Sequence, residues 1–333
     1  MSGSFGNRIM DTALLQVEDL QVLFAREGRI FVGVKDVSFA VRKGVNLALV
    51  GESGCGKSVA SLSCMRLLGS NARIARGTIR FEERDITGAS EREMRKIRGE
   101  QIAMIFQEPM TSLNPALTIG YQVGEALRLH TDMTARQIRN RCRELLRQVG
   151  IADADNALRG YPHELSGGMR QRAMIAMALA CKPRLLIADE PTTALDVTIQ
   201  AQILSLLRDL QKETGITIMI ITHDFGVVAE MAEEVVVMYA GLAVERGPVG
   251  DIFRRPLHPY TEGLLKSIIP LDASMENPLY SIPGVVPPIS LEETGCPFYV
   301  RCPYGTDLCD AATPELREDR PGHFVRCFLK SGI

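Results

Sequence analysis

The sequence predicts an α/β fold built on a parallel β-sheet with helices on both faces. Four short apolar stretches, partly β-branched, have the composition of buried strands; they lie at residues 45–50, 101–106, 184–188 and 216–222. Stretches of helical character separate them; they lie at residues 59–68, 134–149, 173–181 and 198–213. This alternation of strands and helices is typical of βαβ units, which pair their strands in parallel.

A small antiparallel sheet is predicted ahead of this core. Residues 14–24 alternate loosely between apolar and polar and predict an edge strand, and Gly28 separates them from a second strand at 31–41. A further strand of this sheet is predicted at 77–81. Late in the chain, a closing hairpin is predicted around Gly241, with strands at 234–239 and 243–245.

The segment from about 110 to 175 interrupts the strand pattern and is predicted to be helical. Helices are expected at 118–129 and 134–149. Thr134 fits an N-cap and Gly150 a C′ residue, so the second helix has a start and a stop signal.

Composition limits the possible functions. Hydrophobic residues make up 46% and charged residues 23% of the chain, as in an ordinary globular protein. The net charge of −2 argues against a general nucleic-acid binder. Residues 1–12 lack the form of a signal peptide, and no apolar run of about 18 residues is present, so a cytoplasmic protein is expected, able to dock on a membrane protein.

A phosphate-binding loop follows the first buried strand. It has the pattern G-x-x-x-x-G-K-S and consists of Gly51, Glu52, Ser53, Gly54, Cys55, Gly56, Lys57 and Ser58. Glycines let the backbone wrap around a polyphosphate, and the following helix directs its N-terminal amides at the anion. Lys57 is expected to reach the β- and γ-phosphates of ATP, and the Ser58 hydroxyl to ligate Mg²⁺.

Two adjacent acids end the strand at residues 184–188. Asp189 at a strand end is expected to anchor Mg²⁺, directly or through water, and Glu190 to polarise the attacking water as a general base.

A second anion site is predicted at the start of an apolar helix. Ser166 fits its N-cap, and Gly167 and Gly168 leave the backbone amides bare. One chain binding one ATP does not need two such sites. A head-to-tail dimer, with each nucleotide between the phosphate loop of one subunit and Ser166–Gly168 of the other, accounts for both.

These motifs resemble the nucleotide-binding subunits of ABC transporters over residues 13–270. Residues 165–171 resemble the family's signature loop, and residues 194–196 its D-loop at the dimer interface. The resemblance implies that Gln107 senses Mg²⁺ and faces the membrane subunits, and that His223 contacts the γ-phosphate. The implied fold is of the ABC type: a RecA-like parallel core, an antiparallel β subdomain and an inserted helical subdomain at about 110–175. The aromatic residue that stacks on adenine in this family has no clean match near residues 24–31.

A finer resemblance is to the oligopeptide/dipeptide importers. Residues 108–115, 258–261, 281–287 and 295–303 carry it. It implies an ATPase that energises peptide uptake from the cytoplasmic face of the inner membrane. The implied partners are two permease subunits, a second ATPase subunit and an extracytoplasmic substrate-binding protein, with no nucleic acid. Nickel and glutathione importers share this branch, so the substrate stays open.

The chain changes character after Pro270, and residues 271–333 are predicted to form a small C-terminal extension. Four of the eight cysteines lie there: Cys296, Cys302, Cys309 and Cys327. Disulfides are not expected in a reducing cytosol, so a metal site is the leading interpretation. Thiolates favour Fe–S clusters or Zn²⁺. The resemblance favours a [4Fe–4S] cluster with a structural role, and Zn²⁺ or free thiols remain alternatives.

Two other function classes fit the phosphate loop. A soluble ATPase of the same fold acting on DNA or ribosomes is disfavoured by the net charge and by residues 108–115. A kinase-like enzyme would leave the signature loop without a purpose.

Overall fold

The computed structural model describes residues 13–108, 112–193, 195–268, 280–292 and 294–330. The strands are β1 Ala13–Arg26, β2 Arg29–Arg42, β3 Leu47–Val50, β4 Ala72–Phe81, β5 Arg84–Asp85, β6 Ile102–Ile105, β7 Leu185–Asp189, β8 Thr217–Thr222, β9 Glu234–Tyr239, β10 Leu242–Pro248, β11 Arg317–Arg320 and β12 His323–Val325. The helices are α1 Lys57–Cys64, α2 Glu91–Arg95, α3 Ile119–Val123, α4 Glu125–His130, α5 Ala135–Gln148, α6 Ala154–Arg159, α7 Gly167–Ala178, α8 Val197–Thr214, α9 Phe225–Met231, α10 Val249–Arg254, α11 Pro259–Lys266 and α12 Asp307–Ala311. Short 3-10 turns occupy Pro162–Glu164, Tyr299–Arg301 and Phe328–Lys330.

The chain divides into two compact units, residues 1–87 with 222–333 and residues 88–221. In the first unit the strands follow the order β5-β4-β1-β2-β10-β9-β3. Strand β3 is buried along its length and pairs in parallel with β9, with Leu47 opposite Glu234 and Val50 opposite Val237. This buried pair supports the loop that follows Val50.

Strand β1 lies inside its sheet, so the prediction of an edge strand at residues 14–24 is wrong. It pairs antiparallel with β2 on one side and with β4 on the other. The apolar positions that looked like one loosely alternating face, among them Leu15, Val17 and Leu20, are buried. Register shifts along β1 disturb the period-two pattern, so the sequence showed only an irregular alternation.

The C-terminal residues pack within the first unit. Strand β12 pairs antiparallel with β10, placing Val325 opposite Glu245, and β11 pairs with β12. The predicted boundary near residue 270 falls at residues 269–279, outside the described part of the chain. The division of the chain at residues 13–270 and 271–333 therefore stays a prediction.

The second unit contains three parallel strands in the order β6-β7-β8 and the predicted helical segment. Ile102 lies opposite Leu185, and Leu185 opposite Thr217. The helix predicted at 118–129 is wrong as a single element: α3 ends at Val123 and α4 begins at Glu125, with Gly124 as the cap residue between them. Glycine there costs helix stability relative to alanine, and a Cβ atom would lie 3.0 Å from Ile138 Cγ2.

Helix α5 begins and ends where its signals predict. Gln137 N–H donates to Thr134 Oγ1 at 3.4 Å, and Thr134 N–H donates to Gln137 Oε1 at 2.8 Å, which makes a capping box. Gly150 follows the helix with a φ of +82°, a left-handed conformation that glycine adopts readily. Ile138, Cys142, Leu145 and Leu146 form its buried face.

Thr134→Ala should lower the free energy of unfolding by about 1 kcal/mol, since it leaves the Gln137 amide in the first turn of α5 without its acceptor. Thr134→Ser keeps the hydroxyl, and since serine is at least as good an N-cap as threonine, it should leave the free energy of unfolding unchanged within a few tenths of a kcal/mol. Urea denaturation of both variants measures the difference. Equal losses would show that the cap hydroxyl does not stabilise α5.

No helix in the described ranges is both long enough and apolar enough to cross a bilayer.

Candidate active site

The phosphate loop has the strand–loop–helix context that its motif requires. Residues 51–56 connect β3 to α1, whose N-cap is Gly56. Helix α1 is shorter than the predicted span of 59–68 and starts earlier, at Lys57. Ser53 and Gly54 are exposed, whereas Cys55 and Gly56 are buried. The exposed part of the loop is therefore the part that a nucleotide can approach.

Two of the glycines are required by close backbone approach. A Cβ on Gly51 would lie 2.2 Å from the carbonyl oxygen of Met238, and one on Gly56 would lie 2.5 Å from that of Gly33. Gly56 also has a φ of +102°. Two strands of the first unit, β9 and β2, therefore fix the path of the loop.

Lys57 is 5% exposed and folds back onto its own loop. Its Nζ donates to the Gly51 carbonyl at 2.6 Å and to the Glu52 carbonyl at 3.0 Å. Cys55 Sγ lies 3.8 Å from Nζ, and burial raises the pKa of this thiol despite the nearby lysine. Lys57 thus holds its amino group against the loop carbonyls, and Cys55 is a neutral packing residue.

In the second unit the structure brings Gln107 and Glu190 together. Gln107 Nε2 and Thr193 Oγ1 each donate to Glu190 Oε2 at 2.8 Å. Glu190 has a φ of +45°, and its N–H donates to the Ile221 carbonyl at 2.8 Å. Strained backbone of this kind clusters at functional sites, where the surrounding structure holds it in place.

Asp189 is 4% exposed and ends β7, all of whose residues are buried. Its carboxylate has the strand-end position expected of a Mg²⁺ ligand. Thr193 was missed by sequence reasoning; a polar residue three positions after Glu190, beyond Pro191, is a signal for a turn that folds back on the acid.

The predicted second anion site has its expected local structure. Ser166 caps α7: Met169 N–H donates to Ser166 Oγ at 3.3 Å. Ser166 and Gly167 are exposed. Gln171, buried in the same helix, donates from Nε2 to the Pro191 carbonyl at 2.6 Å. This bond, which the sequence did not indicate, joins helix α7 to the segment after Glu190 within the second unit.

Other predicted residues lie at element ends. His223 is exposed between β8 and α9. Asp196 caps α8 by accepting from Ile199 N–H at 3.0 Å, while Ala194 of the predicted D-loop is outside the described residues. The phosphate loop and His223 belong to the first unit; Gln107, Ser166–Gly168, Asp189 and Glu190 belong to the second.

The four C-terminal cysteines line one small cavity together with His258, Phe298 and Tyr299; they are Cys296, Cys302, Cys309 and Cys327. All are free thiols. Burial raises the pKa of Cys296 to about 11. The donor set fits a thiolate-bound metal, but in the described part of the chain no three His, Cys, Asp or Glu side chains are grouped closely enough to hold one.

His258 is fully buried beside this cavity, and its Nδ1 accepts from Tyr260 N–H at 3.1 Å at the start of α11. Burial lowers its pKa to about 4, although the nearby Glu245 favours protonation. The ring is therefore neutral in the folded protein near pH 7.

We expect His258 to make the folded state less stable in acid. In the unfolded chain its pKa is about 6.5, so between about pH 6.5 and 4 the unfolded state binds a proton that the folded state does not. Stability is thus lost as the pH falls through this window, by up to about 3 kcal/mol. Urea titrations of wild type and His258→Asn measure this, since the other titrating groups are common to both. Identical pH slopes would contradict the assignment.

Family models match two parts of the chain. The model described as ABC transporter matches residues 34–193, and the model described as Oligopeptide/dipeptide transporter, C-terminal region matches residues 244–309.

Curated relatives match nearly the whole chain. A probable peptide ABC transporter ATP-binding protein of Sinorhizobium fredii is 50% identical over 96% of both chains. The oligopeptide transport ATP-binding protein AppD of Bacillus subtilis is 50% identical over 96% of this chain and 97% of its own. The dipeptide transport ATP-binding protein DppD of Haemophilus influenzae is 50% identical over 91% of this chain and 92% of its own.

Solved structures share the fold. A dimeric ATP-binding cassette, MJ0796, bound to ADP and Pi after hydrolysis, has a TM-score of 0.64 at 26% identity, covering 71% of this chain and 98% of its own. The cbiO1 subunit of a Clostridium perfringens ABC transporter complex has a TM-score of 0.62 at 29% identity, covering 73% and 92%.

Proposed function

This chain belongs to the ABC transporter family as an ATP-binding subunit, and we propose that it energises the import of dipeptides or oligopeptides across the cytoplasmic membrane. Members of this family are ATPases coupled to transport. The substrate class is supported by 50% identity to peptide-transport subunits over 96% of this chain, which includes the C-terminal extension.

The reaction is hydrolysis of ATP with Mg²⁺, and the proposed roles follow from the chemistry of each group. The loop amides and Lys57 bind the phosphates, and Ser58 and Asp189 are the groups that would hold Mg²⁺. Glu190 takes a proton from the attacking water. The Gln107 and Thr193 donors, both at 2.8 Å from Glu190 Oε2, orient that carboxylate. His223 contacts the γ-phosphate.

The partners follow from the family: permease subunits in the membrane and a dimer of ATPase subunits. In the proposed cycle each ATP lies between the phosphate loop of one subunit and Ser166–Gly168 of the other, whose exposed serine and glycine are available to a second chain. Binding of ATP closes the dimer and hydrolysis reopens it. The subunit would then sit on the cytoplasmic face of the membrane, with Gln107 and the residues after it facing the permeases and an extracytoplasmic binding protein delivering the peptide.

Co-expression with candidate permease and partner ATPase subunits, followed by reconstitution in proteoliposomes, tests the substrate class. We expect ATP hydrolysis to rise with a peptide-loaded binding protein and to stay at its basal rate with nickel or glutathione. Stimulation by nickel, by glutathione, or by DNA or ribosomes in place of a membrane complex would overturn the proposal.

For the cysteine cavity we propose a [4Fe–4S] cluster held by Cys296, Cys302, Cys309 and Cys327. What supports it is that all four thiols line one cavity and that four thiolates are the donor set of such a cluster, although no three of them are grouped closely enough in the described chain to hold a metal ion. When bound, the cluster would crosslink a loop-rich extension that has little core of its own. Anaerobic purification should give iron and sulfide at four each per chain, lost in Cys327→Ser and kept in Cys181→Ser. Zinc, or metal-free thiols, would contradict this assignment.

A further inference from the structure

The second residue of the phosphate loop is held by the C-terminal extension. Both Glu52 carboxylate oxygens accept from Arg301, Oε2 from Nη1 at 2.8 Å and Oε1 from Nη2 at 3.0 Å. These residues are 249 positions apart in the chain but lie in the same compact unit. The pairing is bidentate, the geometry in which an arginine–carboxylate pair fixes orientation as well as charge.

The arginine is built into its position. Its side chain is 4% exposed. Nε donates to the Pro283 carbonyl at 2.8 Å, Nη2 also to the Ile282 carbonyl at 3.3 Å, and Nη1 also to Tyr239 Oη at 3.3 Å. All three guanidinium nitrogens are thus engaged, and only the bonds to Glu52 reach the phosphate loop.

The backbone of Glu52 is held as well. Its N–H donates to Tyr260 Oη at 2.8 Å, and its carbonyl accepts from Lys57 Nζ at 3.0 Å. The Tyr260 ring packs against Tyr239 and Phe298, with centroid distances of 4.6 Å and 5.4 Å. The backbone of Glu52, which contacts Lys57, is therefore fixed by Tyr260 of α11, and the Tyr260 ring packs on Phe298 of the extension.

The short segment that carries Arg301, residues 296–302, also lines the cysteine cavity. Phe298 faces the cavity, and Arg301 ends the 3-10 turn that starts at Tyr299. Tyr299 N–H donates to the Cys296 carbonyl at 2.9 Å, and Cys302 N–H donates to the Tyr299 carbonyl at 3.1 Å. The backbone that presents Arg301 is thus bracketed by two of the four cysteines.

We propose that Arg301 is a positioning residue for the phosphate loop. Through Arg301, the segment 296–302 sets the affinity of the loop for nucleotide. The inference rests on the proposed function, because it requires that the loop binds ATP. Removing the guanidinium leaves Glu52 with an unpaired, partly buried charge beside the phosphate site, which repels the polyphosphate and releases the loop.

Arg301→Gln and the matched control Arg326→Gln separate this role from general support of the extension. Arg326 also anchors the extension, with a side chain 11% exposed that bonds to Asp36 at 3.1 Å and to the Ala243 carbonyl at 3.0 Å, but it does not touch the loop. We expect Arg301→Gln to raise the Kd for a fluorescent ATP analogue about tenfold. Arg326→Gln should lower the Tm comparably and change the Kd less than twofold.

Substitution of Glu52 gives a second test of the proposal. Glu52→Gln removes the charge that Arg301→Gln leaves unpaired, so the double variant should bind the analogue more tightly than Arg301→Gln alone.

Kinetics in the assembled complex give a further measurement: the KM for ATP should rise in Arg301→Gln while kcat changes less than threefold. Additive losses in the double variant would contradict the coupling.

The cysteine half of the proposal is tested on the full chain with Cys296→Ser and, as a control outside the cavity, Cys181→Ser. Cys296→Ser should raise the Kd for the analogue, and adding Arg301→Gln should raise it little further. Wild type that fails to bind the analogue would refute the proposed function itself. Wild-type binding with Arg301→Gln or Cys296→Ser no weaker than its control would overturn the inference alone.

Discussion

Lys57→Ala should weaken ATP binding by about 100-fold, a loss of about 2.7 kcal/mol. The lysine is 5% exposed and its Nζ is fixed by the carbonyls of Gly51 and Glu52 at the mouth of the loop. No other cation lies within the eight-residue motif at 51–58, so nothing in the loop substitutes for its charge. Isothermal titration with Mg·ATP measures the effect.

Lys43→Ala is the matched control, since Lys43 is exposed in the turn before β3. It should leave the Kd unchanged within a factor of two. A Kd for Lys57→Ala within threefold of wild type, with the Tm preserved, would contradict the role given to the lysine.

Glu190→Gln should bind ATP and hydrolyse it about 100- to 1,000-fold more slowly, since a general base contributes about 10²- to 10⁴-fold. The substitution keeps an oxygen that can accept from Gln107 and Thr193, both of which donate to the carboxylate at 2.8 Å. The local geometry is therefore retained while the basic group is lost. With hydrolysis blocked, the ATP-bound dimer should accumulate, and light scattering after gel filtration with Mg·ATP measures it.

Asp209→Asn, on the exposed side of α8, removes a carboxylate away from the site and should keep wild-type turnover. If the second ATPase is a different chain, its own site could retain up to half of the activity. Turnover of the Glu190→Gln complex above that half would refute the assignment of the base.

The local features of the fold and of the site were predictable from the sequence, because each depends on a few adjacent residues. The glycine pattern at 51–58, the buried run ending at Asp189 and the cap at Thr134 all have the structure expected. Each depends on short-range constraints: positive φ, strand burial or an N-cap hydroxyl.

Strand pairings and side-chain contacts between residues far apart in the chain could not be predicted from the sequence. The interior position of β1 depends on which strands lie beside it, and the pairing of β12 with β10 joins residues about 80 positions apart. The Gln107–Glu190 and Arg301–Glu52 contacts connect residues 83 and 249 positions apart. A single sequence carries no periodic signal for such contacts, because they depend on the assembled fold and not on local preference.

The proposal that two chains complete each ATP site is tested most directly by a photocrosslink. A benzophenone amino acid at Ser166, in the Glu190→Gln background with Mg·ATP, should give an adduct with the mass of two ATPase chains. Mass spectrometry should place it at the phosphate loop of the second chain, and Lys57→Ala in the loop should abolish it. An adduct confined to a single chain, or one formed equally without ATP, would contradict the claim.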